Sequence, residues 1–234
     1  KTADMNLKLP AIQNGKPEMI ICEKSPEQEL QTDAGIERAR RIEAKMVQPD
    51  EDNMLAVCTY MTKVALDARI IDPEAEEYDG GKVALCAEKI IEINKANPGT
   101  AQAVFCDTNT PKKDSFSVYQ ALRERLVRSG EFAENEIAFV HDAANDKQRL
   151  AMFEKVNNAE IKIIIGSTGK LGTGVNIQRK LSALHHLDAP YRPSEVEPIQ
   201  RNFLSNFIIK IINQACRRTY SKHQVSEYAH RQHL

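Results

Sequence analysis

The chain has 234 residues, of which 41% are hydrophobic and 28% are charged, the balance of a globular protein with one domain and some extensions. Its 32 Lys and Arg against 33 Asp and Glu give a net charge of -1, which excludes binding to nucleic acid through bulk positive charge. The absence of Trp and the 6% of aromatic residues argue against a surface built for stacking bases.

The first 80 residues predict one strand and two helices. Residues 19–22 are an apolar run of strand length. Residues 25–28, Ser-Pro-Glu-Gln, predict a helix start, because the serine can cap, the proline fits the first helical position and the glutamine completes a capping box. We expect this helix to reach about Met46 and a second helix to cover 54–66. The acidic, Gly-ended loop 74–81 is the candidate domain boundary.

From residue 82 onward, predicted helices and strands alternate. The pattern predicts helices over 83–97, 115–129 and 146–157, and strands over 101–106, 137–141, 161–165 and 184–187. Strands separated by helices of this length imply a parallel sheet with helices on both faces. In such sheets the functional groups lie on loops that leave the carboxyl ends of the strands, which selects loops 107–111, 142–145, 166–174 and 188–194.

The most informative of these loops is 166–174, Gly-Ser-Thr-Gly-Lys-Leu-Gly-Thr-Gly. Its glycines let the backbone approach a phosphate, and its exposed N–H groups can hold an anion. It is not a Walker loop, because Leu171 stands where a Ser or Thr would bind magnesium and Ile164 stands where the first glycine belongs. The dinucleotide-binding glycine pattern is absent as well. A tight turn that needs glycine only for its backbone shape is the alternative interpretation.

Two other loops carry polar groups suited to phosphate. Residues 107–111, Asp-Thr-Asn-Thr-Pro, offer hydroxyls and an amide, although these residues are also common in turns. Residues 188–194, Asp-Ala-Pro-Tyr-Arg-Pro-Ser, lead into a helix whose Gln200 and Arg201 either reach a nucleotide phosphate or belong to a solvated face. The pair 185–186, His-His, alternates faces on a strand, and no further ligands are spaced to make a metal site.

The five cysteines are widely spaced and contain no C-x-x-C, so neither a disulfide framework nor a zinc site is predicted. Reduced thiols of this kind indicate a cytoplasmic location. No apolar run approaches the length of a membrane span, and the first four residues do not begin a secretory signal.

Taken in order, these segments resemble the second RecA-like lobe of Swi/Snf-type superfamily-two helicases, especially bacterial mobile-element helicases fused to adenine-specific DNA methylases. The similarity spans most of residues 17–201, and its ordered set of motifs is specific although each piece alone is weak. The stretches that carry it are Val104–Asp107, Ile137–Ala143, Gly166–Asn176 and Leu187–Ser194, together with the helix start at 25–28 and Lys82.

The resemblance implies three segments. A RecA-like α/β lobe covers 81–201, a mainly helical extension over 1–80 links it from a missing first lobe, and 202–234 is a basic C-terminal segment with five Lys and Arg against one Glu. In the family, ATP and magnesium bind between two lobes and are held mainly by the first. The second lobe grips one DNA strand by its phosphates. This chain lacks a Walker loop, and by itself it should not hydrolyse ATP.

The resemblance also implies roles for individual residues. It implies contacts with the DNA backbone by Thr108, Asn109, Ser167, Thr168 and Lys170, contacts with the nucleotide by Gly172, Gly174, Asp188 and Arg192, and catalytic roles for Gln200 and for Arg201 as an arginine finger. Asp188 would order its loop, and no metal ligand is implied. The chain departs from the family after this point, since the expected Gly-Arg-x-x-Arg is absent and only the displaced pair 200–201 remains. A truncated motif, an altered reading frame and a degenerate protein each explain that departure.

The resulting hypothesis is the second motor lobe of an ATP-dependent DNA helicase or translocase, with DNA, a first lobe and a DNA methylase domain as candidate partners. The alternative is a non-catalytic RecA-like module that binds a protein. A complete small α/β enzyme, such as a nucleotide-dependent methyltransferase, has least support, because no glycine loop follows the first strand.

Overall fold

The computed structural model describes residues 18–112, 115–171, 175–188 and 208–214. Short 3₁₀ turns connect some of the elements. The strands and longer helices are, in chain order, β1 (Glu18–Cys22), α1 (Pro26–Glu43), α2 (Met54–Leu66), α3 (Lys82–Ala96), β2 (Ala101–Phe105), α4 (Val118–Arg128), β3 (Ile137–Phe139), α5 (Asp146–Asn157), β4 (Ile163–Gly166), α6 (Thr168–Leu171), β5 (Leu181–His186) and β6 (Ile208–Gln214).

Helix α1 begins at the predicted capping box. The Ser25 hydroxyl accepts a hydrogen bond from the Gln28 N–H at 3.1 Å, and the Gln28 side-chain oxygen accepts one from the Ser25 N–H at 3.0 Å. The helix ends at Glu43, before the predicted Met46, because Lys45 takes a left-handed conformation with φ of 55° that stops helical propagation. No helix in the described ranges is both long enough and apolar enough to cross a membrane.

The described strands form one parallel sheet in the order β1-β6-β5-β2-β4-β3. Together with the helices between the strands, this confirms the predicted α/β architecture. Strand β1 lies within the predicted segment 1–80 and β6 within 202–234, and the two pair with each other. The boundaries at 80 and 201 stay predictions, because a shared sheet does not show whether the segments can fold apart.

Both faces of the sheet are covered, as a parallel sheet requires. Successive strand residues point to opposite faces, so β4 contributes Ile163 and Ile165 to one apolar cluster and Ile164 to the other. The first cluster includes side chains of α3 and α4, and the second includes side chains of α5. Each of these fully buried isoleucines stabilises the fold by about 1.5–3 kcal/mol.

Other predicted elements also differ at their ends from the observed ones, as the predicted strand 184–187 does from β5. The predicted strand 137–141 stops at Phe139, and the chain turns through a 3₁₀ segment at Val140–Asp142. The predicted helix 115–129 begins only at Val118, because the Asn109 side-chain oxygen accepts the Val118 N–H at 2.7 Å and fixes the helix start there. That contact comes from a neighbouring loop, which a local pattern does not reveal.

Candidate nucleic-acid interface

Three loops meet at the carboxyl edge of the sheet, because β2 lies between β4 and β5. They are Asp107–Asn109 after β2, Ser167–Lys170 after β4, and Leu187–Asp188 after β5. We call these residues the carboxyl rim. The structure therefore brings together the predicted DNA-contacting residues Thr108, Asn109, Ser167, Thr168 and Lys170, whose roles stay predictions.

The Asp188 carboxylate holds the loop after β2 in place. It accepts hydrogen bonds from the Asp107 N–H at 2.9 Å and from the Thr108 N–H at 2.6 Å. The residue is only 5% exposed, and burial raises the pKa of its carboxyl group while the hydrogen bonds from Thr108 and Asp107 oppose that rise. A carboxylate with these partners orders the loop after β2, and its predicted contact with a nucleotide stays a prediction.

Asp107 joins two of the rim loops directly. Its carboxylate accepts the Thr168 N–H at 2.8 Å and the Thr168 hydroxyl at 2.6 Å. The two loops predicted to contact DNA are thereby held as one surface. Asp107 was not among the predicted site residues, although an acidic residue directly after a buried strand was the available signal.

Gly166 explains why the glycine-rich loop turns back over the sheet. A Cβ atom at this position would lie 2.7 Å from the Leu171 side chain, so only glycine lets Leu171 pack there. Residues 168–171 form the helical turn α6 inside the predicted loop, with the Ser167 carbonyl accepting from the Lys170 and Leu171 N–H groups. This turn leaves Lys170 exposed, and its ammonium makes no ion pair within the described ranges.

The Asn109 side chain is engaged inside its own loop. Besides accepting the Val118 N–H, its amide donates to the Phe116 carbonyl at 3.4 Å. The neighbouring Cys106 carbonyl accepts the Tyr119 hydroxyl at 2.6 Å. These bonds fix the loop on the start of α4, and Thr108 and Asn109 are both partly exposed beside Asp107.

The two histidines of β5 face opposite sides of the sheet, as predicted. The His185 ring nitrogen Nε2 lies 2.8 Å from the Gln102 side-chain oxygen in the interior. The His186 ring stacks on Phe105, with centroids 4.9 Å apart and planes 13° apart. Neither ring nitrogen of His186 has a hydrogen-bond partner among the described residues, and burial lowers its pKa to about 4. His186 is therefore neutral at physiological pH.

Acidification is expected to destabilise the protein through His186. The unfolded chain protonates His186 near pH 6.5, whereas the folded chain protonates it only near pH 4. The contribution of neutral His186 to stability is therefore fully present above pH 6.5 and is lost as the pH falls from 6.5 toward 4. We expect the free energy of unfolding to be about 2 kcal/mol lower at pH 5 than at pH 7.5 from this group alone. His186→Phe should flatten the pH dependence measured by urea denaturation, and an unchanged profile would show that His186 is not buried and neutral.

The predicted nucleotide-facing and catalytic positions Gly172, Gly174, Arg192, Gln200 and Arg201 lie outside the described residues. Asp188, the remaining one, points inward to backbone N–H groups. No group of three or more His, Cys, Asp or Glu in the described ranges is placed to hold a metal ion, and the absence of a metal site stays a prediction.

No protein-family model matches the sequence, and no curated protein matches it either. Solved structures do match. The C-terminal domain of the Sulfolobus solfataricus SWI2/SNF2 ATPase has 17% identity and a TM-score of 0.59, over 93% of this chain and 86% of that one. The C-terminal part of the Fun30 ATPase domain has 11% identity and a TM-score of 0.64, over 94% and 96%.

A third match is the Sulfolobus solfataricus SWI2/SNF2 ATPase core in complex with double-stranded DNA, with 17% identity and a TM-score of 0.60. The alignment covers 86% of this chain and 42% of that core. Similarity at these low identities shows the fold. The chain has the RecA-like α/β fold of the C-terminal lobe of SWI2/SNF2 ATPases.

Proposed function

We propose that this chain is the second motor lobe of an ATP-dependent DNA translocase or helicase, which contacts the DNA phosphate backbone and completes an ATP site with a separate first lobe. The observation that carries the proposal is the pair of hydrogen bonds from Thr168 to Asp107, which unites the two candidate phosphate-binding loops. The fold shared with an ATPase core solved in complex with double-stranded DNA supports it.

The chemistry of the carboxyl rim suits a phosphate backbone. Hydroxyls, backbone N–H groups and lysines are the groups that bind DNA phosphates without reading sequence. The partly exposed Ser167 and the exposed Lys170 supply these groups beside Thr108, whose N–H is held by Asp188. The Asp107 charge is turned toward Thr168, whose two hydrogen bonds reduce its repulsion of a phosphate.

The ATP-dependent part of the proposal rests on the first lobe. The sequence has no Walker loop, and phosphoryl transfer in P-loop enzymes needs both the phosphate-binding loop and cationic groups facing it. We therefore infer that the separate first lobe holds most of the nucleotide. The association with a DNA methylase likewise stays a prediction from the resemblance.

The chain alone is expected to bind DNA weakly, without sequence preference and with strong dependence on salt. Three phosphate contacts on a single strand correspond to a log–log salt slope of about -2, or roughly a twentyfold loss of affinity between about 50 mM and 200 mM salt. Fluorescence anisotropy with labelled oligonucleotides of different sequences measures this. We expect no ATP hydrolysis, with or without DNA.

Two results would contradict the proposal. Rapid ATP turnover by this chain alone would mean that it carries a complete active site. A complete lack of DNA binding at low salt would leave the protein-interaction module as the remaining hypothesis.

A further inference from the structure

Helix α2 presents an unusual face to solvent. Its inner side chains Val57, Val64 and Leu66 are buried, but Leu55 is 72% exposed. The helix contains one charged residue, Lys63, and no acidic residue in thirteen positions. A solvated helix usually carries charges of both signs on its outer face. The outer face of α2 therefore has fewer charges than a face that only contacts solvent, which indicates that it binds a ligand.

An open groove runs along this face and reaches the carboxyl rim. It has a volume of about 250 Å³ and is lined by Leu55, Cys58, Thr59, Thr62, Lys63 and Thr108. A second depression, of about 420 Å³, adjoins it and shares Leu55, Thr59 and Lys63 with it. Thr108 belongs both to the groove and to the predicted DNA-contacting residues, so the groove continues the rim.

The electrostatics of the groove favour an anion. Lys63 is the one ionised group in its lining, and its ammonium makes no ion pair within the described ranges. Two other partly buried lysines are paired, Lys89 with Glu92 and Lys162 with Glu136. An unpaired cation in a carboxylate-free groove attracts negative charge, although the chain as a whole is slightly acidic.

The hydrogen bonds of the other lining residues limit which kind of ligand the groove can bind. The Thr59 and Thr62 hydroxyls donate to the Leu55 and Cys58 carbonyls of their own helix, so these donors are already used. The Thr108 N–H and side chain are bound to Asp188, so Lys63 is the group left to bind an anion. Leu55 supplies an apolar surface shared by the two depressions. A DNA strand, with phosphates separated by apolar sugar faces, offers this alternation of charge and apolar surface.

We propose that the α2 groove binds the DNA strand as it leaves the carboxyl rim, with the Lys63 ammonium contacting a phosphate next to the one near Thr108. This inference rests on the proposed function, because it extends the same phosphate track. It assigns the helical extension a direct role in gripping DNA.

The test uses the full chain and compares Lys63→Gln with Lys155→Gln. Lys155 is exposed near the end of α5, at the opposite edge of the sheet, and it makes no ion pair in the described ranges. Losing one phosphate contact is expected to weaken binding of a labelled 20-nucleotide strand on the order of fivefold and to reduce the salt slope by about 0.7. Lys155→Gln should bind like wild type, and Lys63→Arg should restore most of the affinity.

Cys58 gives an independent readout in the wild-type protein. It is an exposed thiol in the groove lining, whereas Cys22, Cys86 and Cys106 are buried. Saturating DNA should slow alkylation of Cys58 by iodoacetamide, as followed by peptide mass spectrometry. If DNA binds with Lys170-dependent affinity but Cys58 stays reactive and Lys63→Gln binds normally, the groove assignment is wrong and the proposed function stands. If no DNA binds, both are wrong.

Discussion

Replacing Asp188 with Ala is expected to lower the free energy of unfolding by about 2 kcal/mol, because it leaves the part-buried Asp107 and Thr108 N–H groups without their acceptor. The substitution also removes the cost of burying the Asp188 charge, which is seen in the raised pKa of this carboxyl group. That gain offsets part of the stability lost with the hydrogen bonds. Urea denaturation followed by circular dichroism at pH 7.5 measures the difference.

Asp33→Ala is the matched control. Asp33 is exposed on α1 and makes no hydrogen bond or ion pair within the described residues, so its loss should change stability by less than about 0.5 kcal/mol. Asp188→Asn should be intermediate, because the amide keeps one acceptor oxygen and adds a donor that faces the same N–H groups. Equal stability of Asp188→Ala and Asp33→Ala would show that the carboxylate does not hold the loop.

Lys170→Glu is expected to reduce DNA affinity on the order of thirtyfold, the largest loss of binding among the single changes considered. The substitution removes a cation that lies exposed on the carboxyl rim and places a negative charge where we propose that a phosphate binds. The loss should be largest at low salt and should shrink as salt screens the repulsion. Fluorescence anisotropy over a salt series measures both effects.

The control for Lys170→Glu is Lys155→Glu, which changes the net charge equally at the opposite edge of the sheet. Equal losses in the two variants would mean that overall charge, and not the rim, governs binding.

A second measurement on Lys170→Glu reports the position of the Lys170 charge relative to His141. In the wild type the pKa of His141 is lowered mainly by burial and also by the positive charge of Lys170. Lys170→Glu should therefore raise the pKa of His141 in an NMR titration.

Asp188→Ala and Lys170→Glu distinguish a residue that anchors the rim loop from a residue that is proposed to contact DNA. Asp188→Ala should lower stability and DNA affinity together, because the rim loop loses its anchor. Lys170→Glu should lower affinity alone, since the exposed side chain makes no bond that the fold needs. A stable Lys170→Glu variant with normal DNA binding would remove the rim from the proposed interface.

The sequence by itself determined most of the strands and helices of this protein and the class of its sheet, but not α6 or β6. The capping box at 25–28, the apolar strand 161–165 and the alternation of strands and helices after residue 82 are local signals, because capping and hydrophobic periodicity act over a few residues. The rule that functional loops leave the carboxyl ends of parallel strands also predicted that the loops after β2, β4 and β5 lie at one edge. The placement of Thr108 beside Thr168 at one rim follows from that rule.

Tertiary structure alone decided which side chains connect those loops. The bonds from the Asp107 N–H to Asp188 and from Thr168 to Asp107 join residues 81 and 61 positions apart, and no periodicity encodes such partners. The pairing of β1 with β6 and the meeting of Lys63 with Thr108 in one groove also join residues that are far apart in sequence. Local patterns fix how each segment folds, but strand order and helix docking decide which polar groups share a surface.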